Sequence, residues 1–76
     1  MGQLRKVSGE KLLKIPCNKF EFSILRQRGS HVIISKLTPL GKIGTVIPLH
    51  KELKIGTLKG ILKQAQVSEE EIAKFL

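Results

Sequence analysis

Tryptophan and tyrosine are absent from this 76-residue chain, and three phenylalanines are its whole aromatic stock. Platforms for stacking bases are therefore scarce, so a nucleic-acid partner would be met mainly through backbone and shape. There is one cysteine, Cys17, which excludes an internal disulfide and a cysteine metal cluster. With no apolar signal-peptide segment at the start, it points to the cytoplasm. The opening Met1–Lys6 does not fit a myristoylation signal, because Lys6 stands where serine or threonine is wanted. No apolar run approaches the roughly 20 residues that cross a bilayer, so no membrane partner is expected. Acidic side chains are few as well: 6 Asp and Glu against 14 Lys and Arg leave a net charge of +8. Such an excess speaks of partners rather than of fold, and its default partner is a polyanion.

What is present suffices for one small domain spanning residues 1–76. Hydrophobic residues make up 41% of the chain, enough for a core and too many for wholesale disorder. A chain this short hides only about 60% of its unfolded surface on folding, which leaves no room for a large cavity. No cofactor is expected.

The element order reads helix, three strands, helix, and a short final helix. Ser8 is placed to cap the first helix, with Glu10 in its first turn and Leu12, Leu13 and Ile15 on its apolar face. Pro16 is expected to end it at Ile15. From Phe20 the period changes to two, with Phe20, Phe22 and Ile24 alternating with Glu21 and Ser23, which predicts a half-buried strand to about Gln27. Arg28-Gly29 supplies the turn. Ser30–Lys36 is the second strand, and apolar residues on both its faces make it central. Leu37–Lys42 turns again, and Gly44–Leu49 is an edge strand ending near Pro48. Two short connections in a row imply an antiparallel meander.

The second helix is expected over about Lys54–Ala65, with Leu58, Ile61, Leu62 and Ala65 as its core stripe. Gly60 costs that helix up to about 1 kcal/mol relative to alanine, which close packing would offset. Ser68-Glu69-Glu70-Glu71 reads as a capping box opening a last helix that buries Ile72, Phe75 and Leu76. The fold class is α+β: a three-stranded antiparallel sheet with helices on one face.

Three features compete for a function. The first is the hairpin Arg26-Gln27-Arg28-Gly29-Ser30-His31. A lone histidine in a small basic protein is usually a surface residue. Here it stands beside two arginines able to hold phosphate, a glycine that permits close backbone approach, and a serine hydroxyl. An unperturbed imidazole titrates near pH 6.5 and so exchanges protons readily at neutrality, as cleavage of RNA by its own 2′-hydroxyl requires. The run Val32, Ile33, Ile34 leaves open which face of the strand His31 takes.

The second feature is Pro48-Leu49-His50-Lys51. In a meander the end of the third strand lies near the start of the second, which brings His50 toward His31. The commoner reading is that His50 faces solvent or caps the next helix. Two histidines without carboxylate companions make a poor metal site, so none is expected. The third feature is the group Lys51, Lys54, Lys59 and Lys63 about the second helix. Such lysines usually form a solvated face, yet a helix N-terminus also attracts phosphate.

Taken in order, Arg26-Gln-Arg-Gly-Ser-His31, Pro48-Leu-His50 and the run Glu52-Leu-Lys-Ile-Gly-Thr-Leu-Lys-Gly-Ile-Leu-Lys-Gln-Ala65 resemble the HicA toxins of bacteria and archaea. The resemblance runs from Ser8 to about Phe75. It implies an α-β-β-β-α fold like the double-stranded RNA-binding domain. It also implies an mRNA interferase of a type II toxin–antitoxin pair, held inactive by a HicB antitoxin. The family's essential histidine maps onto His31, and His50 matches a histidine common after the third strand. Two departures are plain: Lys19-Phe20 stands where Gly-Phe is usual, and Pro16 interrupts a helix that is normally longer.

The expectation is thus a metal-independent endoribonuclease acting on mRNA. His31 is the acid or base, with Ser30 and His50 as candidate support. Arg26, Arg28, Gly29, Lys51, Lys54, Lys59 and Lys63 would bind RNA. A non-catalytic RNA-binding module is the alternative, and a protein whose charge serves to meet an acidic partner is a third.

Overall fold

Ser8 does cap the first helix: its Oγ accepts a hydrogen bond of 3.0 Å from the Lys11 amide. In the computed structural model, which describes residues 6–76, that helix (α1) is Gly9–Lys19. Most of the opening segment Met1–Lys6, with its lipidation reading, lies outside the described residues.

The helix is longer than expected, because Pro16 sits inside it rather than ending it. The proline removes one amide from the ladder. Its own carbonyl, however, accepts from both Phe20 and Phe22 at 3.0 and 3.1 Å. Ile15 and Pro16 are both buried, so core contact offsets the missing bond.

Three strands follow as an antiparallel meander: β1 (Ser23–Arg28), β2 (His31–Thr38) and β3 (Gly41–Pro48), with β2 central. Pro48 is the last residue of an edge strand, where a missing donor costs least. Val32, Ile34 and Ile47 point inward and are buried to within 1% exposure. Beside them Thr45, also buried, donates to Gln64 Oε1 at 2.7 Å. The helices α2 (Ile55–Ala65) and α3 (Glu69–Ala73) complete the chain, an α+β fold consistent with a double-stranded RNA-binding-domain likeness.

The first strand departs from its expected form. Glu21 carries φ 62°, so the chain turns there and pairing begins only at Ser23. Phe22 is buried, but every residue of β1 is exposed, including Ile24. The alternation of Phe20, Phe22 and Ile24 therefore does not mark a half-buried strand. A bulge also lies between Ile24, which pairs with Ile34, and Arg26, which pairs with Ile33. One extra residue moves everything after it to the other face of the sheet.

The second helix matches its stripe: Leu58, Ile61, Leu62 and Ala65 are all buried. It closes in a Schellman arrangement, with Gln66 at φ 58° and amides 66 and 67 bonded to the carbonyls of Lys63 and Leu62. The capping box of α3 is present, and Ile72 is buried, while Phe75 stays 40% exposed with its ring 6.0 Å edge-on from Phe20.

Gly60 corrects an expectation. A Cβ there would meet nothing within 4 Å, so no close packing offsets its helix penalty. Gly60→Ala is expected to add up to about 1 kcal/mol of stability. In a domain of this size that raises Tm by about 4–8 °C, readable by calorimetry.

Candidate functional site

The side chains of β2 alternate, and because Val32 and Ile34 are buried, His31, Ile33 and Ser35 face outward. The histidine's face, open in the sequence, is thus the side of the sheet that no helix covers. Its neighbours follow from register. His31 pairs with Arg28 on one side and with Pro48 on the other, and Ile33 pairs with Arg26 and Val46. Without the bulge Arg26 would share the inward face with Ile24. With it, both arginines flank His31 on the open face.

The hairpin is tight. Gly29 takes φ 59° at the first central position of the Gly29-Ser30 loop, as a type II′ turn requires. Gln27 Nε2 donates to the Gly29 carbonyl at 3.0 Å and braces it. Ser30 acts through its backbone, its carbonyl accepting from the Leu49 amide at 2.6 Å. That bond ties the exit of β3 to the hairpin, and it brings the second histidine close. The His31 and His50 rings lie 6.4 Å apart between centroids, at 76° to each other. Both are exposed, and neither ring has a protein hydrogen-bond partner among the described residues.

A third tie comes from α1. The Gly9 amide donates to the His50 carbonyl at 2.9 Å. The helix start approaches so closely that a Cβ on Gly9 would overlap the Pro48 carbonyl oxygen and lie 2.9 Å from Leu49 Cα. Sequence reasoning missed Gly9. The available signal was a glycine in the first turn of a helix, where it weakens the helix and so asks for another reason.

The basic residues divide. Lys51 follows His50 directly, and Lys54 is the N-cap of α2 without a side-chain capping bond. Lys59 and Lys63 are exposed on α2, turned away from the stripe that meets the sheet. The core and the sheet thus lie between these two lysines and His31. Sequence spacing groups all four around one helix end, whereas in the structure Lys51 and Lys54 belong to the stretch that leads from His50 into α2 and Lys59 and Lys63 lie on the outer side of that helix.

Cys17 is half-buried in α1, and burial pushes its thiol above its ordinary pKa, which suits an inert side chain rather than a nucleophile. Among the described residues no three His, Cys, Asp or Glu side chains gather as a metal site, and no helix is long and apolar enough to cross a membrane. Imidazoles and guanidinium groups are what the open face and its rim present.

Comparison with curated proteins and with solved structures finds no match. A family model described as the HicA toxin of bacterial toxin–antitoxin systems matches residues 9–67. That span takes in α1, the whole sheet with both histidines, and α2. The chain therefore belongs to the HicA toxins, and as a toxin of such a pair it implies a cognate antitoxin.

Proposed function

We propose that this toxin is an endoribonuclease that cleaves mRNA without a metal of its own, with His31 as the proton-transfer group. The observation that carries the reading is the placement of His31 on the uncovered face of the sheet, paired across the hairpin with Arg28. An RNA phosphodiester laid on that face meets a fixed positive charge and an imidazole together. The guanidinium groups of Arg26 and Arg28 bind phosphate oxygens and stabilise charge as it grows in the transition state. The imidazole moves a proton to or from the reacting oxygens. Attack by the 2′-hydroxyl then leaves a 2′,3′-cyclic phosphate on one fragment and a 5′-hydroxyl on the other.

The test is RNA cleavage by the purified chain in excess EDTA, beside its His31→Ala variant. Cleavage that survives the chelator and disappears in the variant supports the reading. Binding of RNA by both without cleavage by either overturns it in favour of an RNA-binding module.

A partner of the HicB type would silence the toxin by covering the same face. Leu25 and Val46 are 53% and 40% exposed there, and a chain of net charge +8 attracts an acidic cover.

The division of the basic residues gives a second test. Each phosphate contact removed lowers the slope of log affinity against log salt by about 1. The Arg26→Ala/Arg28→Ala double variant is expected to lower that slope by about 2, and Lys59→Ala/Lys63→Ala to leave it nearly unchanged. Fluorescence anisotropy on a labelled RNA over a salt series reads both. An equal loss for the two pairs would mean that RNA wraps round the helix layer as well.

A further inference from the structure

His50 lies beyond the end of the sheet, yet its backbone is tied on both sides. The residue before it, Leu49, is bonded through its amide to the Ser30 carbonyl at 2.6 Å, and the His50 carbonyl accepts from the Gly9 amide at 2.9 Å. Pro48, one residue further back, pairs with His31 itself. An exposed loop residue with no functional duty needs no such ties, since exposed loops are ordinarily the loosest part of a small domain. The ties leave the His50 ring free, exposed, and 6.4 Å from that of His31. At that spacing the two imidazoles do not bond to each other, and one phosphodiester is within reach of both.

We propose that His50 is the second member of a proton-transfer pair with His31. One imidazole takes the proton from the 2′-hydroxyl as its oxygen bonds to phosphorus. The other, arriving as imidazolium, gives its proton to the 5′-oxygen as the P–O5′ bond breaks. The two rings exchange protonation states over the step, and solvent restores them. The assignment rests on the ribonuclease reading above and adds a second catalytic group to it.

The experiment uses the whole chain and two oligonucleotides that each hold a single cleavable ribonucleotide. One has the natural 5′-oxygen, and the other has sulfur in its place as the bridging leaving atom. A thiolate departs without a proton, so the sulfur substrate needs the base and not the acid. On the natural substrate His31→Ala and His50→Ala are each expected to lose about 10²–10⁴ of the rate, the usual worth of a positioned acid or base. On the sulfur substrate one of the two variants recovers most of the parent rate and the other does not. His50→Gln, which keeps the backbone ties and a hydrogen-bonding side chain, is expected to be as slow as His50→Ala on natural RNA.

A His50→Ala variant that cuts natural RNA at the parent rate overturns the pair and leaves the role of His31 standing. Activity restored by His50→Gln also overturns it, since that outcome marks a positioning residue. So does sulfur rescue of both variants or of neither, because a pair has one acid and one base. Parent-like cleavage by His31→Ala sinks the underlying ribonuclease reading instead.

Discussion

His31→Ala is expected to lower RNA cleavage by a factor of about 10²–10⁴ while leaving the urea midpoint of unfolding where it was. The two halves of that expectation come from the same placement. His31 starts a central strand, but its side chain faces outward and is exposed. Removing an exposed side chain that packs on nothing buried usually changes stability by no more than about 0.5 kcal/mol. The backbone pairings to Arg28 and Pro48 do not involve the ring and survive the change. Chemistry has no such reserve, since alanine neither accepts nor donates a proton. Residual binding should persist through Arg26, Arg28 and the nearby lysines, so a filter-binding curve would move far less than the cleavage rate. A variant that cuts at the parent rate would remove His31 from the reaction.

Much of this arrangement is legible in the sequence where periodicity and capping agree. The second helix is one case: its 3.6-residue stripe is unbroken, and the four residues it nominates are all buried. The capping box of α3 and the centrality of β2 are others, each carried by local chemistry. The first strand failed for the opposite reason. Phe20, Phe22 and Ile24 alternate in sequence, but a positive φ at Glu21 and a bulge after Ile24 break the run into pieces with different orientations. Neither glutamate nor leucine announces such backbone geometry, so only pairing with β2 reveals it. Pro16 misled in the same way, because it is kept inside α1 while buried, and the local sequence does not announce that burial.

The site was legible to the extent that it depends on connectivity. A tight hairpin followed by another must bring the exit of β3 toward the first residue of β2, and the rings of His50 and His31 do lie 6.4 Å apart. The orientation of the arginines was not legible, because it hangs on the bulge. Nor was the separation of Lys59 and Lys63 from His31, since spacing along a helix says which residues share a face but not what stands behind it.

Alanine at position 9 should do the reverse of alanine at position 60. Gly9→Ala is expected to cost about 1–4 kcal/mol net and to slow cleavage as well. As a helix residue alanine is favoured over glycine by up to about 1 kcal/mol, so propensity alone predicts a gain. Sterics decide otherwise. The added Cβ would lie 2.8 Å from the Pro48 carbonyl carbon and 2.9 Å from Leu49 Cα, and both are backbone atoms that no rotamer change can move aside. Forcing a methyl into a filled site typically costs about 1–3 kcal/mol. Relief requires α1 to draw back, which breaks the Gly9 amide bond to the His50 carbonyl and forfeits about 1 kcal/mol more. A domain of this length commands only about 4–11 kcal/mol in all, so the loss should be plain in a urea titration. The same retreat frees the His50 segment, tying the stability of the helix start to the geometry of the two imidazoles. If Gly9→Ala instead raises the unfolding midpoint as Gly60→Ala should, the close approach between α1 and the exit of β3 does not exist in solution.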